Sequence, residues 1–426
     1  MNVVMLNEAD GGGGAAKAAF RLNHGMRELG VDSRLLVKTR TCDAPEVVRT
    51  ASPAGKLVQA LRVHLDMLPV RRYPNKPLLN FSPAWLPDGV AAQVESMEPA
   101  LIHLHWLTAG FLRLETLSKL NRMNRPLLWT LHDSWAFTGG CHVPFACTRY
   151  RQECGACPVL GSNVDRDLSR RVWERKRKAW KNLDLTVVAP SRWLADCARS
   201  SSLFRDVRVE VIPNGLDLKV FKPLDKRQAR ALLSLPQDKK LVLCGGAGIN
   251  LQANKGFGLL MAALRLLAAT RWGEQAELVV FGLSGPGDEQ ASGFKENYLG
   301  WLEDEASLVA AYSAADLFVV PSLLENFPNT VLEAMACKTP CIAFDQGGMA
   351  QLIEHRRNGY LARSYEENDL QEGIRLVLED DALRSGMARN ARHKVEENFA
   401  IDKVCENYLA LYQELLGGLG METTTK

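Results

Sequence analysis

The chain has 426 residues, more than the roughly 250–300 that one hydrophobic core usually supports, so two domains are expected. Its hydrophobic content of 46% and charged content of 24% are ordinary for a soluble globular protein. The net charge of +3 hides an asymmetry: residues 1–215 carry 30 Lys and Arg against 20 Asp and Glu (net +10), and residues 216–426 carry 22 against 29 (net −7).

The basic first half favours an anionic partner, such as a phosphate or an anionic membrane surface, and no nucleic-acid-binding motif is present. The first ten residues have neither the charged region nor the apolar core of a signal peptide. No window reaches the ~18 apolar residues of a membrane span. Ten cysteines without a secretory signal indicate a reducing compartment. The sequence therefore predicts a cytoplasmic protein.

The first predicted elements are a strand over 2–6, four glycines at 11–14 and a helix over 15–29. Glycines such as Gly12 and Gly13 let backbone N–H groups crowd an anion, so this loop is a candidate phosphate cradle. A flexible turn is the alternative interpretation.

Further strands are predicted over 33–37, 101–106, 127–131, 185–190 and 207–212. His103 and His105 share one face of their strand, a pattern more typical of satisfied core histidines than of ligands. His132 and Asp133 follow the end of the strand over 127–131, where ligands bind in parallel sheets. A structural His–Asp hydrogen bond is the alternative.

Two segments of the first half are less regular. Residues 51–90 form a variable excursion whose apolar side chains are candidate acceptor contacts: Leu65, Met67, Leu68, Phe81 and Trp85. Residues 165–183 form a very basic helix in which Trp173 and Trp180 share a face. This helix has either a solvated surface or a role at a membrane surface, with its tryptophans at the interface.

Four cysteines lie within seventeen residues: Cys141, Cys147, Cys154 and Cys157. The last two form a Cys-x-x-Cys pair that can reach one ion, and four soft ligands select zinc or an iron–sulfur cluster. His142 is a candidate replacement ligand. The pattern predicts a structural zinc, and the alternatives are reduced thiols or a redox pair at Cys154 and Cys157.

Pro213-Asn214-Gly215 interrupts the chain, and a second alternation of strands and helices follows. Strands are predicted over 240–244, 277–281, 316–320 and 340–344, and helices over 369–378, 381–397 and 401–416. Two runs of strand–helix alternation predict an α/β protein with two doubly wound sheets. The last six residues are predicted to be disordered.

Polar residues follow two neighbouring strands in the stretch 320–354. Glu325 lies in a loop, Asn329 and Thr330 open a helix, and Glu333 lies one turn inside it; a Gly-Gly turn follows the next strand. A helix start is a natural phosphate seat. Thr330 with Glu333 also fits a capping box, as does Ser322 with Glu325.

This stretch resembles the signature of the retaining glycosyltransferases of family 4, in which two Glu residues are separated by seven positions and precede a Gly-Gly turn. The resemblance, which extends to bacterial exopolysaccharide and colanic-acid enzymes, implies a GT-B fold with two Rossmann-like domains facing a cleft. It places an acceptor domain at 1–215, with a Cys-rich insert at about 139–160, and a donor domain at 216–398. A helix over 399–418 would return to the first domain, before a tail at 419–426.

The resemblance also implies roles for the candidate residues. Lys255 would neutralise the donor diphosphate, Asn329 and Thr330 would hold a phosphate, and Glu333 would accept from the ribose hydroxyls. Glu325 and His132 would contact the transferred sugar, and the glycine loop at Gly12 and Gly13 would face the diphosphate. No metal would be required for catalysis.

One position departs from the pattern. Family members often carry an arginine shortly before the lysine, but residues 245–254 contain none, so Lys255 acts alone or with Asn250 or Gln252.

The expected donor is a UDP- or GDP-sugar, and the expected acceptor is a lipid-linked saccharide at the anionic inner membrane surface. A nucleotide-sugar epimerase of the same fold and a non-catalytic nucleotide-sugar sensor are the alternatives. An epimerase would need no acceptor.

Overall fold

A computed structural model describes residues 1–50, 55–75, 81–246, 248–249, 253–285, 291–302 and 304–421, without the side chains of 55–60 and 418–421. The chain divides into two compact units. The first comprises Met1–Pro213 together with Val404–Lys426, and the second comprises Asn214–Lys403. The C-terminal helix therefore groups, from Val404 onward, with the first unit.

The first unit contains a seven-stranded parallel sheet in the order β3-β2-β1-β4-β5-β6-β7. Its strands are β1 (Asn2–Ala9), β2 (Asp32–Thr39), β3 (Val47–Arg49), β4 (Leu101–Leu104), β5 (Leu127–Thr130), β6 (Leu185–Ala189) and β7 (Arg208–Val211). Its first helices are α1 (Gly14–Glu28), α2 (Gly55–Asp66), α3 (Val90–Ser96), α4 (Thr116–Asn121), α5 (Leu168–Trp180) and α6 (Arg192–Ser200).

The second unit contains a six-stranded parallel sheet in the order β10-β9-β8-β11-β12-β13. Its strands are β8 (Lys240–Gly245), β9 (Ala276–Phe281), β10 (Lys295–Tyr298), β11 (Leu317–Val320), β12 (Cys341–Phe344) and β13 (Gly359–Ala362). Its helices are α7 (Lys226–Leu232), α8 (Phe257–Ala268), α9 (Trp272–Gln275), α10 (Glu305–Ala314), α11 (Asn329–Ala336), α12 (Met349–Leu352), α13 (Glu367–Glu379) and α14 (Asp381–Asn398). The last helix, α15 (Ile401–Met421), leads back to the first unit.

Short apolar runs form the central strands of the second sheet because both of its faces are covered. Alternate residues of β11 point to opposite faces: Leu317 and Val319 pack in one hydrophobic cluster, and Phe318 and Val320 pack in the other. Such continuous apolar strands are typical of parallel sheets with helices on both sides. The predicted doubly wound α/β organisation is thus confirmed for each unit.

The basic helix is α5, and the proposed interfacial position of its tryptophans is wrong. Trp173 is 3% exposed and Trp180 is 8% exposed, because both pack in the core of the first unit. The indole N–H of Trp180 donates to the carbonyl of Leu114. Lys176 is also fully buried, so only part of the basic run reaches solvent.

In the excursion over 51–90, the structure separates buried from exposed apolar residues. Met67 and Phe81 are buried, whereas Leu65, Leu68 and Trp85 are exposed. Within the described ranges, no helix is both long and apolar enough to cross a bilayer.

Candidate functional site

The candidate donor residues of the second unit follow strands at the point where the strand order reverses. β8 is the first strand of this sheet, β9 and β10 lie to one side of it, and β11 to β13 lie to the other. Ligands of doubly wound sheets bind beyond the carboxyl ends of the strands at such a switch point. Lys255 follows β8 and Glu325 follows β11, so the topology brings the two predicted residues to this place.

The loops after β8, β11 and β12 are joined by backbone contacts. The N–H of Leu323 donates to the carbonyl of Asn254 over 2.7 Å, and the N–H of Gly348 donates to the carbonyl of Glu325 over 2.9 Å. Gly256 and Gly347 have φ of +63° and +64°. A Cβ at either position would lie 2.0–2.1 Å from a backbone oxygen. Only glycine fits these two positions, and their packing fixes the loop that carries Glu325.

Lys255 and Glu325 form an ion pair within this group of loops. Lys255 Nζ donates to Glu325 Oε1 over 2.7 Å, and both side chains are partly exposed, 26% and 17%. A cation and a carboxylate therefore share one half-buried place at the switch point. Asn250 and Gln252, the suggested substitutes for an arginine, lie outside the described residues.

Glu333 does not cap the helix that contains it. α11 begins at Asn329 with Pro328 as its N-cap, and no side chain caps it. The capping-box interpretation is thus wrong for Glu333, and it is wrong for Glu325 too, because residues 321–328 form no helix. The side chain of Glu333 is 2% exposed and accepts from the hydroxyl of Tyr312 over 3.1 Å.

Asn329 and Thr330 occupy the first turn of α11. The amide oxygen of Asn329 accepts from Asn214 over 3.1 Å, while Thr330 is half-buried. The first turn contains no acidic residue, which leaves the positive end of the helix dipole without a compensating charge on its own turn.

In the first unit, His132 follows β5, and its ring stacks on that of His105, which follows the neighbouring strand β4. His105 Nδ1 lies 3.1 Å from His132 Nε2, and the two rings are stacked with centroids 5.4 Å apart. His103 is fully buried between Tyr412 of α15 and Thr130, which lie 2.7 Å and 2.8 Å from its two ring nitrogens. His103 is therefore a satisfied core histidine, as predicted.

His105 departs from that prediction, because its Nε2 is buried and has no hydrogen-bond partner within the described part of the chain. Burial lowers the pKa of His132 to about 4, against the opposing effect of Asp133. Burial likewise holds the pKa of His105 well below its usual value, with smaller contributions from His103 and His132. Both rings are thus neutral at physiological pH, and one of the two must donate to the other.

Asp133 joins the residues around His132 into one network. Its carboxylate accepts from the indole of Trp106 over 2.7 Å, from His142 Nδ1 over 2.6 Å and from the backbone of Trp135 over 2.8 Å. Burial would raise the pKa of Asp133, but His142, Trp135 and Trp106 hold it below its usual value. The carboxylate is therefore charged and orients its neighbours.

His142 belongs to this network and not to the cysteine cluster. Its Nδ1 contacts Asp133, and its Nε2 lies 2.9 Å from the hydroxyl of Ser82. Because both ring nitrogens have partners, the suggestion that His142 replaces a cysteine as metal ligand is wrong for this arrangement.

The glycine loop connects β1 to α1. Gly12 has a φ of +85°, and Gly13 is the N-cap of α1 without a side-chain cap. A Cβ at either position would meet no atom within 4 Å, so open space borders both residues. Asp10 anchors the loop by accepting from Thr41 and Cys42. The loop thus exposes an uncapped helix start, which suits an anion.

The structure brings the four predicted cysteines around one small pocket. Cys141, Cys147, Cys154 and Cys157 all line it, together with residues such as Thr138 and Arg149. In the part of the chain that the structure describes, no three His, Cys, Asp or Glu side chains are already grouped closely enough to hold a metal ion. Burial raises the pKa of Cys141, Cys154 and Cys157, that of Cys154 to about 12.

Two family models match the chain. The model described as glycosyl transferases group 1 matches residues 225–394, and the model described as glycosyltransferase family 4 matches residues 12–220. The first covers Lys255, Glu325 and Glu333, and the second covers His132. The chain belongs to glycosyltransferase family 4.

Similar proteins support this assignment of family and fold. D-inositol 3-phosphate glycosyltransferase of Paenarthrobacter aurescens is 30% identical over 222 residues, 50% of this chain and 53% of that protein. The putative colanic acid biosynthesis glycosyl transferase WcaC of Escherichia coli is 24% identical over 331 residues, 74% and 77% of the two chains. The chain spans about half the length of the first curated relatives that it matches.

Among solved structures, Anabaena HepE in complex with UDP and glucose superposes with a TM-score of 0.65 at 19% identity, over 97% of this chain and 99% of that one. This likeness shows the fold alone. The two Rossmann-like units of this family 4 glycosyltransferase thus have the GT-B fold, as predicted.

The sequence prediction misses two residues that contact the predicted site residues. Tyr312 lies in α10, 21 positions before Glu333, and His105 has the pattern of a satisfied core residue. The HLHW run at 103–106, which spans the carboxyl end of β4, is a signal for His105; no pattern signals Tyr312.

Proposed function

We propose that the protein transfers a sugar from a nucleotide-diphosphate sugar to a lipid-linked saccharide, with retention of configuration, in the assembly of a bacterial surface or exported polysaccharide. The observation that carries the proposal is the Lys255–Glu325 pair at the switch point of the second sheet, beside the uncapped start of α11. The family and the relatives named above support it.

Each part of the donor has a candidate partner in the second unit. Lys255 offers a positive charge to the diphosphate leaving group, and the start of α11 at Asn329 and Thr330 offers N–H groups and a dipole to a phosphate. The carboxylate of Glu333 can accept from the two ribose hydroxyls. Glu325 lies beside Lys255 and can support the positive charge that develops on the sugar.

In the first unit, His132 is the proposed contact to the transferred sugar. Its Nε2 faces His105, and Asp133 fixes the surrounding side chains. The glycine loop at Gly12 and Gly13 is a second candidate contact to the diphosphate, and no step of the proposed reaction requires a metal. We propose UDP or GDP as the nucleotide, since UDP is a ligand of HepE, which has the same fold.

The test is incubation of the protein with labelled UDP- and GDP-sugars and a bacterial membrane extract. Label in the lipid-extractable fraction is the expected result, and it should accumulate more slowly for Glu325→Gln but not for Glu274→Gln, a substitution of an exposed glutamate in the same unit. Accumulation of a free sugar-nucleotide isomer without transfer would indicate an epimerase. Binding without any product would indicate a sensor.

An exposed apolar stripe in the first unit supports a lipid-linked acceptor. Leu61, Leu65 and Leu68 recur at helical spacing on and just after α2, and they are 47%, 41% and 45% exposed. Trp85, which donates from its indole to the backbone of Asp66 beside this stripe, is 37% exposed. Contiguous exposed apolar residues of this kind mark interaction surfaces.

Exposed cations of the same unit suit the anionic inner surface of a membrane. On and just after α5, the side chains of Arg171, Arg177, Lys178 and Lys181 are exposed, whereas Arg170 and Arg175 form ion pairs with acidic residues. Each exposed cation near an anionic surface is worth about 1 kcal/mol. We therefore propose a cytoplasmic enzyme that associates peripherally with the inner membrane.

Vesicle sedimentation tests this association. Binding to anionic vesicles should fall with added salt and should weaken for Leu65→Gln/Leu68→Gln and for Lys178→Glu/Lys181→Glu. Leu232→Gln, at a 71% exposed leucine of the second unit, is the matched control and should bind like the wild type. Equal binding to neutral vesicles, or no binding, would argue for a soluble acceptor.

A further inference from the structure

The loop that follows His132 contains the pocket lined by Cys141, Cys147, Cys154 and Cys157. Three of these cysteines are at most 7% exposed, and Cys147 is half-buried. The remaining six cysteines of the chain do not line it. Four of the ten cysteines thus line one pocket, although they are spread along seventeen residues of an irregular loop.

Backbone N–H groups lie near the thiols of Cys154 and Cys157. The N–H of Gly139 donates to Cys154 Sγ over 3.1 Å. The backbone N–H groups of Leu160 and Val159 oppose the rise of the pKa of Cys157 on burial. Such donors favour the thiolate, which is the form that binds metal.

A buried lysine lies next to the cysteine pocket. Lys176 is fully buried, and its amine donates to the carbonyls of Trp135 and Thr138 and lies 3.8 Å from the centre of the Trp135 ring. No carboxylate of the described residues forms an ion pair with it, and Thr138, whose carbonyl accepts from its amine, lines the cysteine pocket. A buried cation is costly without a nearby anion.

We propose that these four cysteines bind one structural zinc ion as thiolates and that Lys176 balances the negative charge of the complex. Four thiolates around Zn²⁺ carry a net charge of −2, and one buried ammonium reduces it. The interior of the pocket has room for about one water-sized atom or ion, which suits a single metal and not a multi-iron cluster. Four closed ligands are typical of structural and not catalytic zinc.

Because the sulfurs are not yet grouped around one point, binding must turn the thiol side chains toward the pocket they share. Each thiol gives up its proton as its bond to zinc forms, so about four protons are released per ion, without oxidation or reduction. The bound ion would tie together residues 139–160, which include His142 and precede α5. This inference is independent of the proposed function.

The experiment uses the full chain purified without chelator. Elemental analysis should find about one zinc per chain, and exchange for Co²⁺ should give the absorption of sulfur-to-metal charge transfer with about four thiolates. Titration of the metal-free chain in weak buffer should release about four protons per ion. Absence of zinc together with failure to bind Co²⁺ would overturn the proposal, as would a spectrum without sulfur ligands.

The metal content of variants identifies which residues bind the metal. Cys154→Ser/Cys157→Ser should lose the metal, whereas Cys42→Ser, at a half-buried cysteine outside the pocket, should keep it. Lys176→Met replaces the lysine by an uncharged side chain of similar length. This variant should lose its metal at a lower concentration of a competing chelator than the wild type does. If the double variant does not fold, thiol reactivity of the wild type is measured before and after a chelator is added. Four thiols should become reactive only after the metal is removed. Metal retained by a folded double variant, or four thiols equally reactive before chelation, would overturn the proposal.

Discussion

Lys255 Nζ lies 2.7 Å from Glu325 Oε1, so two side chains seventy positions apart neutralise each other at the end of neighbouring strands. The pair places the cation proposed for the leaving diphosphate next to the acid proposed for the sugar. A donor that binds here would find both charges already positioned by the loops after β8 and β11.

Substitutions of Lys255 and of Glu325 should affect different kinetic constants. Lys255→Ala should weaken nucleotide-sugar binding by about 1.5–3 kcal/mol, the value of a charge-assisted contact, whereas Glu325→Gln should mainly lower kcat. Lys219→Ala, at an exposed lysine of the same unit, is the control. Steady-state kinetics with a varied donor separates the two effects. Equal losses of kcat at unchanged KM in both variants would contradict the assignment.

Tyr312 should act on the donor through Glu333. Its hydroxyl donates to Glu333 Oε2, and burial, followed by the charge of Glu333, raises the pKa of the phenol far above its usual value. Tyr312→Phe removes only this hydrogen bond and should weaken UDP or GDP binding by about 0.5–1.5 kcal/mol without changing kcat. Calorimetric titration measures the effect. If Glu333→Ala binds nucleotide normally while Tyr312→Phe does not, the tyrosine does not act through the glutamate.

His105 should position His132. Their 3.1 Å contact fixes which nitrogen of His132 carries the proton and hence what its other nitrogen offers a substrate. His105→Phe keeps the ring but not the bond, so kcat should fall by about tenfold or more, with donor KM nearly unchanged and a shifted pH profile. His105→Gln, which retains a polar end, should recover part of the loss. If His105→Phe lost thermal stability but kept full activity, His105 would contribute only to packing.

The buried histidines predict that acid destabilises the first unit. Burial lowers the pKa of His103 to about 3 and that of His132 to about 4, whereas an unfolded histidine titrates near 6.5. Below about pH 6.5 these histidines bind protons in the unfolded chain but not in the folded chain. The free energy of unfolding is therefore constant above about pH 6.5 and falls as the pH drops below this value. At pH 5 each group lowers the stability by at most about 2 kcal/mol.

Urea unfolding at pH 7.5 and pH 5.0 measures this loss. Trp129, Trp135 and Trp180 pack together in the core of the first unit, so tryptophan fluorescence follows its unfolding. His103→Gln, which cannot titrate, should lose less stability between the two pH values than the wild type. An identical pH dependence in this variant would exclude His103 as a source of the effect.

The sequence predicted the central strands and both switch-point residues because apolar runs and the loops after them are local signals. It missed the edge strands β3 and β10, since β3 has only three residues and β10 reads Lys-Glu-Asn-Tyr, which lacks the pattern of a buried strand. β13, a short strand that begins at Gly359, was missed as well.

Burial of long polar residues was harder to predict than strand positions. Lys176 lies in a run of cations that reads as solvated, yet it is enclosed by the tryptophans on and before α5. The contacts Tyr312–Glu333 and His105–His132 join residues more than twenty positions apart. Such contacts depend on how strands are ordered in the sheet, which no local spacing records.

The central claim is that the switch point of the second sheet binds a nucleotide-diphosphate sugar. The most direct measurement is calorimetric titration of the full chain with UDP and GDP, for the wild type and for Glu333→Ala, with Glu274→Ala as the exposed control. We expect one site for one of the two nucleotides, at least about tenfold weaker in Glu333→Ala (about 1.4 kcal/mol) and unchanged in the control. Binding of neither nucleotide, or equal affinity in all three proteins, would contradict the claim.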